Sequence, residues 1–170
     1  YIIGLARPMN EDVIYDLKGL IKDGKVEPRI EYPFEISNGW RKLNTSIIGI
    51  PRDTEFYEFR NVYNEKVILP EKGIFITEYM AKALNIKKGD RVKVKNFMPG
   101  KDDMYFEVKD IIKQYLGANA YMDIEHMRET LTEKNMINGF SIASKEDLKT
   151  KLEDVRNISS VSSRDDMTKT

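Results

Sequence analysis

The chain has 170 residues, 41% of them hydrophobic and 33% charged, and its 28 basic residues balance its 28 acidic ones. That length holds one sizeable domain or two small ones, and the charge balance argues against a dedicated nucleic-acid binder, which usually carries a basic excess. There is no cysteine, which excludes disulfides, thiolate catalysis and cysteine-based zinc sites together.

No apolar run approaches the roughly 20 residues that a membrane-spanning helix needs. The chain opens at Tyr1 inside a strand-like run, without an initiator Met, and reads as a piece of something longer.

In chain order, YIIGLA (residues 1–6) is a short apolar strand. Pro8 and Asn10 mark a turn and a helix cap. Glu11 and Asp12 suit the positive end of a helix dipole, and Val13, Ile14, Leu17, Leu20 and Ile21 follow at helical spacing. Asp23-Gly24 closes that helix. KVEPRIEYPFEI reads as a strand near a sheet edge, because Pro28 and Pro33 lack the N–H that a ladder needs. Asn38-Gly39 signals a hairpin, and RKLNTSIIGIP returns as the partner strand.

A similar unit recurs near the end. GFSIAS (139–144) is a strand and Ser144 a helix cap, with Asp147 completing a capping box. Leu148, Leu152 and Val155 share a face, Asn157 ends the helix, and ISSV begins a strand. Two strand–helix–strand units of similar size predict an α+β fold. Residues 1–51 and 119–170 would form a ferredoxin-like layer, a sheet with two helices on one face.

Residues 52–118 would be an inserted, mostly β subdomain. It holds an aromatic run (Phe56, Tyr57, Phe59, Tyr63), the strands VILP and GIFI, a short helix at 78–84, and a hairpin turning at Met98-Pro99-Gly100-Lys101 into MYFEVKDII. A third helix, 124–134, starts after Asp123 and buries Ile124, Met127 and Leu131.

The most shaped stretch is ALNIKKGDRVKVKN, 83–96. Thr77 is placed to cap the helix before it, and Ile76, Met80, Ala83 and Leu84 fall close to one face. Asn85 is suited to a left-handed helix stop, with Ile86 folding back onto the helix. Lys88-Gly89-Asp90 makes a turn. Arg91, Lys93 and Lys95 then alternate with Val92 and Val94, giving one basic and one apolar face.

Catalytic machinery is not legible. His126 is the only histidine, with no second histidine or cysteine to make a metal or general-base site. The adjacent acids, such as Asp102-Asp103 and Glu146-Asp147, suit caps and turns, and Asp102-Asp103 lacks the spaced ligands of a calcium loop. No phosphate-binding glycine loop and no nucleophile elbow occurs. No catalytic, cofactor-binding or metal-ligating residue is assigned. The residues singled out as partner-facing are Trp40, at the hairpin tip, and the aromatic run Phe56, Tyr57, Phe59 and Tyr63; for the run, a place in the core of the small subdomain is the competing reading.

Taken together, GIFITEYMAKALNIKKGDRVKVKN, FEVKDII (106–112), YLGANAYMDIEHMRETL (115–131), LEDVRNISSVSS and the opening with its Pro-Asn turn and VEPRIEYPFEIS resemble, in order, the extracytoplasmic domains of FtsX-like (MacB-like) ABC transporter permeases. That family often carries Gly where Asn64 and Asn85 stand; Asn tolerates the same backbone conformation. The helical stalks of relatives that reach an outer-membrane partner are absent.

The resemblance implies a MacB periplasmic-core-like fold and a non-catalytic domain on the outer side of the cell membrane. ATP would be bound by a separate cytoplasmic subunit, reached through membrane helices on either side of the chain, and no cofactor would sit in this domain. The domain would relay ATP-driven movement to or from an external peptide, lipid or protein, termed mechanotransmission in parts of the family. A second permease subunit or half is implied as a partner, and nucleic acid is not. Peptide or lipid export, antimicrobial-peptide sensing and resistance, and control of a cell-wall hydrolase all remain open. The stretch Leu-x-Ile-Lys-x-Gly-Asp also resembles the swapped-hairpin DNA-binding domains of AbrB-like regulators, which are far shorter. A small hydrolase is a third reading.

Overall fold

The computed structural model describes residues 1–20, 24–97, 99–113, 119–144 and 157–162. In chain order its elements are β1 (Ile2–Asn10), α1 (Val13–Leu20), β2 (Lys25–Asn38), β3 (Arg41–Ile50), β4 (Phe59–Arg60), β5 (Lys66–Val67) and β6 (Ile74–Thr77). Then come α2 (Glu78–Leu84), β7 (Arg91–Val94), β8 (Met104–Ile112), β9 (Ala120–Asp123), α3 (Ile124–Thr130), β10 (Met136–Ala143) and β11 (Ile158–Ser162). The chain is α+β and mostly strand. The helix expected between Ser144 and Asn157 lies outside the described residues.

Two compact units form: Tyr1–Ile30 with Lys134–Thr170, and Glu31–Glu133. The sequence reading bounded the inserted segment at 52–118 instead. The difference is the second part of β2 from Glu31 on, β3, β9 and α3. β3 pairs with β9 in parallel from Ile47↔Ala120 to Ile50↔Asp123, and β9 pairs onward to β6. Those ladders draw both segments into the second unit.

In the first unit the sheet order is β11–β1–β10–β2, with all neighbours antiparallel. Only the start of β2 takes part, Lys25–Arg29 lying opposite Ala143–Gly139. Ile3 faces Phe140 on one side and Val161 on the other. The apolar alternation of these strands and the inner face of α1 bring Ile3, Leu17, Phe140 and Ile142 into one buried cluster. β1 runs on to Asn10, past the turn expected at Pro8, with an irregularity between Gly4 and Met9 that spares the proline a ladder bond. Asn10 still opens the helix, its Oδ1 accepting from the Asp12 N–H at 3.0 Å.

β2 is not an edge strand throughout. Its first residues face β10 and its last face β7 and β3. Pro33 falls between Arg29, opposite β10, and Ile36, opposite β7. Its missing N–H therefore interrupts neither of those two ladders.

The second unit is a closed ring of six strands, β2–β3–β9–β6–β8–β7, completed by pairing of β7 back onto β2 at Ile36↔Val94 and Ser37↔Lys93. Closure removes sheet edges. β6 and β9 are buried along their whole length, and so are residues 47–50 of β3. Ile48, Ile50, Phe75 and Tyr121 gather with Phe59, Leu69 and Ile112 in one apolar cluster. β4 and β5 form a separate two-stranded hairpin, shorter than the strand expected at VILP.

The stretch from 77 to 96 folds as its sequence predicts, with two adjustments. Asn85 takes the left-handed conformation (φ 53°, ψ 51°), and the Ile86 N–H bonds the Ala81 carbonyl at 2.8 Å. Gly89 has φ +95° in the turn, and Val92 and Val94 are buried. Ala81, not Ala83, joins Met80 and Leu84 on the buried face. Thr77 holds the N-cap backbone position, but its hydroxyl makes no capping bond and is buried without a partner among the described residues.

Candidate interaction surface

The aromatic run divides. Phe59 is 7% exposed and packs edge-on against Tyr121 (centroids 5.0 Å) and Phe75 (5.6 Å). Tyr57, half-buried, stacks on Phe59 at 6.2 Å and leans on Tyr121 at 5.9 Å. These two are brought together as core, because residue 59 lies on β4 with its side chain turned into the apolar cluster opposite Val67. Phe56 is half-buried in the preceding turn, where the Thr54 hydroxyl accepts from its N–H at 3.1 Å. Tyr63 is 80% exposed. It stands in the β4–β5 turn, where Asn61 Oδ1 accepts from the N–H groups of Tyr63 and Glu65, both at 3.0 Å. Asn64 takes φ 64° there, the conformation for which glycine is otherwise used.

Trp40, also 80% exposed, stands on a different hairpin. The β2–β3 turn has two residues, Gly39 and Trp40. Gly39 has φ +62°, the geometry that the first position of a tight hairpin turn favours, which leaves Trp40 as the outward second residue. The tip is fastened from behind. The Asn38 side-chain amide donates to the Leu84 carbonyl at 2.9 Å, at the end of α2. Arg41 lies over the indole ring at 4.6 Å from its centroid.

The cations near this tip fall into two groups. Lys42 and Lys95 both reach Glu35, at 3.7 and 3.9 Å, and Lys88 reaches Asp110 at 3.8 Å. Arg41, Lys82 and Lys87 have no ion pair among the described residues. Lys82 and Lys87, both exposed, stand two residues in sequence from Leu84 and Asn85, whose carbonyls the Asn38 amide faces. Sequence reading named Trp40 and missed Lys82 and Lys87, because only the fold ties the 84–85 segment to the hairpin. The basic face of β7 is partly neutralised, Lys93 facing Asp103 at 4.0 Å.

At the start of α3, Asp123 accepts from the His126 N–H at 3.3 Å, with Arg52 at 4.0 Å. Burial pushes the Asp123 carboxyl above its usual range, against the opposing effect of that hydrogen bond and of Arg52. Burial likewise pulls His126 below its ordinary value, and its ring meets Phe106 edge-on at 5.4 Å. α3 buries Ile124 and Met127 as expected, and also Arg128, which pairs with Glu125. Among the described residues no group of three or more acids and histidines could hold a metal ion, and no helix is long and apolar enough to cross a membrane.

No protein-family model and no curated protein matches the sequence. Solved structures do match the fold. One is the extracellular domain of the noncanonic ABC-type transporter YknZ from Gram-positive bacteria. It has a TM-score of 0.61 at 15% identity, over 89% of this chain and 87% of that one. Another is the periplasmic region of MacB from Actinobacillus actinomycetemcomitans, with a TM-score of 0.55 at 17% identity, over 89% of this chain and 78% of that one. The chain therefore has the fold of the extracytoplasmic domains of ABC-type transporter permeases.

Proposed function

We propose that this chain is the extracytoplasmic domain of an ABC transporter permease subunit, a non-catalytic module that relays movement between the membrane helices and an external partner. The observation that carries this reading is the fold match, which extends over 89% of the chain and 87% of the YknZ extracellular domain. The motif order in the sequence, from GIFITEYMAKALNIKKGD to LEDVRNISSVSS, supports it independently. In this reading ATP is hydrolysed by a separate cytoplasmic subunit, and a second permease subunit or half completes the transporter.

The first unit is read as the ferredoxin-like layer. Taking β1, β2, β10 and β11 as its four strands in chain order, the sheet order is fourth–first–third–second, as that layer requires, and α1 lies between the first two. The second unit is read as the recognition element, because it carries the exposed Trp40 and Tyr63. A relay needs two states with different contacts. A fluorophore on cysteine at Lys101, in the full-length permease reconstituted with its ATP-binding subunit, tests this. Emission should change on adding ATP and return with ADP. Identical emission in both states would contradict the relay.

A further inference from the structure

We infer that the β2–β3 hairpin tip is a docking site for an acidic polypeptide segment, with Trp40 as the anchor and Arg41, Lys82 and Lys87 as the flanking cations. This rests on the reading that an external partner docks on the second unit. A two-residue turn and the Asn38–Leu84 hydrogen bond hold the tip in place, so little side-chain or loop freedom remains to be lost on binding. Trp40 is the only tryptophan in the chain and exposes 80% of its surface. An exposed indole in a polar surround is the composition of an interface hot spot.

Charge selects the partner. Lys42, Lys95 and Lys88 are occupied by Glu35 and Asp110, whereas Arg41, Lys82 and Lys87 are not. Between residues 82 and 91 the one carboxylate is Asp90, and it accepts the Lys87 N–H at 2.8 Å. Arg41 and this segment together carry more basic than acidic groups, Arg41, Lys82, Lys87, Lys88 and Arg91 against Asp90. Arg41 already lies over the indole, where its guanidinium fork keeps edges free for a carboxylate. A lipid surface fits less well. Along the hairpin tip, α2 and the turn after it the exposed large hydrophobic side chains are Trp40 and Tyr79, with no large aliphatic one beside them, and interfacial anchoring grows with the apolar area inserted.

Trp40 also reports on the site, since no other tryptophan contributes to emission. Its fluorescence should shift saturably on titration with a glutamate-rich synthetic peptide carrying leucines. The affinity should fall with added salt. It should drop on the order of tenfold in the doubly reversed K82E/K87E variant, and Arg41→Ala should weaken it without changing the fold seen by circular dichroism. No shift with that peptide, an unchanged affinity in the reversed variant, or a stronger response to phosphatidylglycerol vesicles would overturn the inference. Labelling of a cysteine placed at Lys101, by a membrane-impermeant maleimide on intact cells, would be unaffected by any of these outcomes, so failure here is separable from failure of the permease reading.

Discussion

The side-chain amide of Asn38 lies 2.9 Å from the carbonyl oxygen of Leu84, joining the tip of one hairpin to the end of a helix 46 residues away. One bond thereby caps α2 and positions Trp40. The last carbonyls of a helix lack partners within it, and here a side chain from another element supplies one.

Asn38→Ala should therefore cost about 1 kcal/mol, the net worth of a partly buried hydrogen bond. Urea denaturation reads this as a lower midpoint at unchanged slope. An unchanged midpoint would mean that water replaces the amide without penalty.

The aromatic run should divide in energy as it does in burial. Phe59→Ala should destabilise by about 3–5 kcal/mol, the usual cost of emptying a phenylalanine site in a core. Tyr63→Ala, at the exposed turn, should stay within about 0.5 kcal/mol. Equal effects in thermal melts would contradict the placement of Phe59 inside the cluster.

Gly139 is required by close backbone approach. A Cβ there would lie 2.7 Å from the Ile3 carbonyl oxygen, on the strand it pairs with. Gly139→Ala should cost about 1–3 kcal/mol through overpacking. Gly19→Ala, with nothing near its Cβ, should be neutral or slightly stabilising in the helix.

His126 contributes to the pH dependence of stability. Its folded pKa lies below the ordinary 6.5 because burial disfavours the imidazolium, with Glu129 and Asp123 opposing and Lys72 reinforcing the shift. The unfolded chain then binds more protons just below that value. The contribution of His126 is full above pH 6.5 and is lost as pH falls through the lowered folded value. Asp123 runs the other way, since a raised carboxyl favours the folded state at low pH and loses that contribution as pH rises through its folded value. His126→Phe should flatten the fall in stability just below pH 6.5. An unaltered stability profile would show that another group carries it.

Local signals in this sequence were strong where the backbone itself is constrained. Asn85 stops α2 in the left-handed conformation, Asp123 caps α3, and MYFEVKDII is β8 from end to end. What escaped was long-range pairing. Nothing in RKLNTSIIGIP or AYMD announces that these strands run parallel to each other, and their pairing moves the boundary between the units. The prolines of β2 suggested an edge because sequence does not show a strand changing neighbours along its length. The aromatic run could be read as surface or core until β4 set Phe59 inward and left Tyr63 out. Of the cations assigned to the Trp40 tip, Lys82 and Lys87 come from a segment more than 40 residues away, beyond any local pattern. The DNA-binding alternative gains nothing from the fold. Lys93 and Lys95, of the basic face that follows the Leu-x-Ile-Lys-x-Gly-Asp stretch, are turned toward Asp103 and Glu35.

The central claim is that this domain lies outside the cytoplasmic membrane. Cysteines placed at Lys101 and Asp53, both exposed, in the otherwise unaltered full-length protein can be probed in intact cells with a membrane-impermeant maleimide. This chain contributes no cysteine background. The account predicts labelling of both positions before lysis, to the same extent as after it. Labelling that appears only after lysis would contradict the assignment.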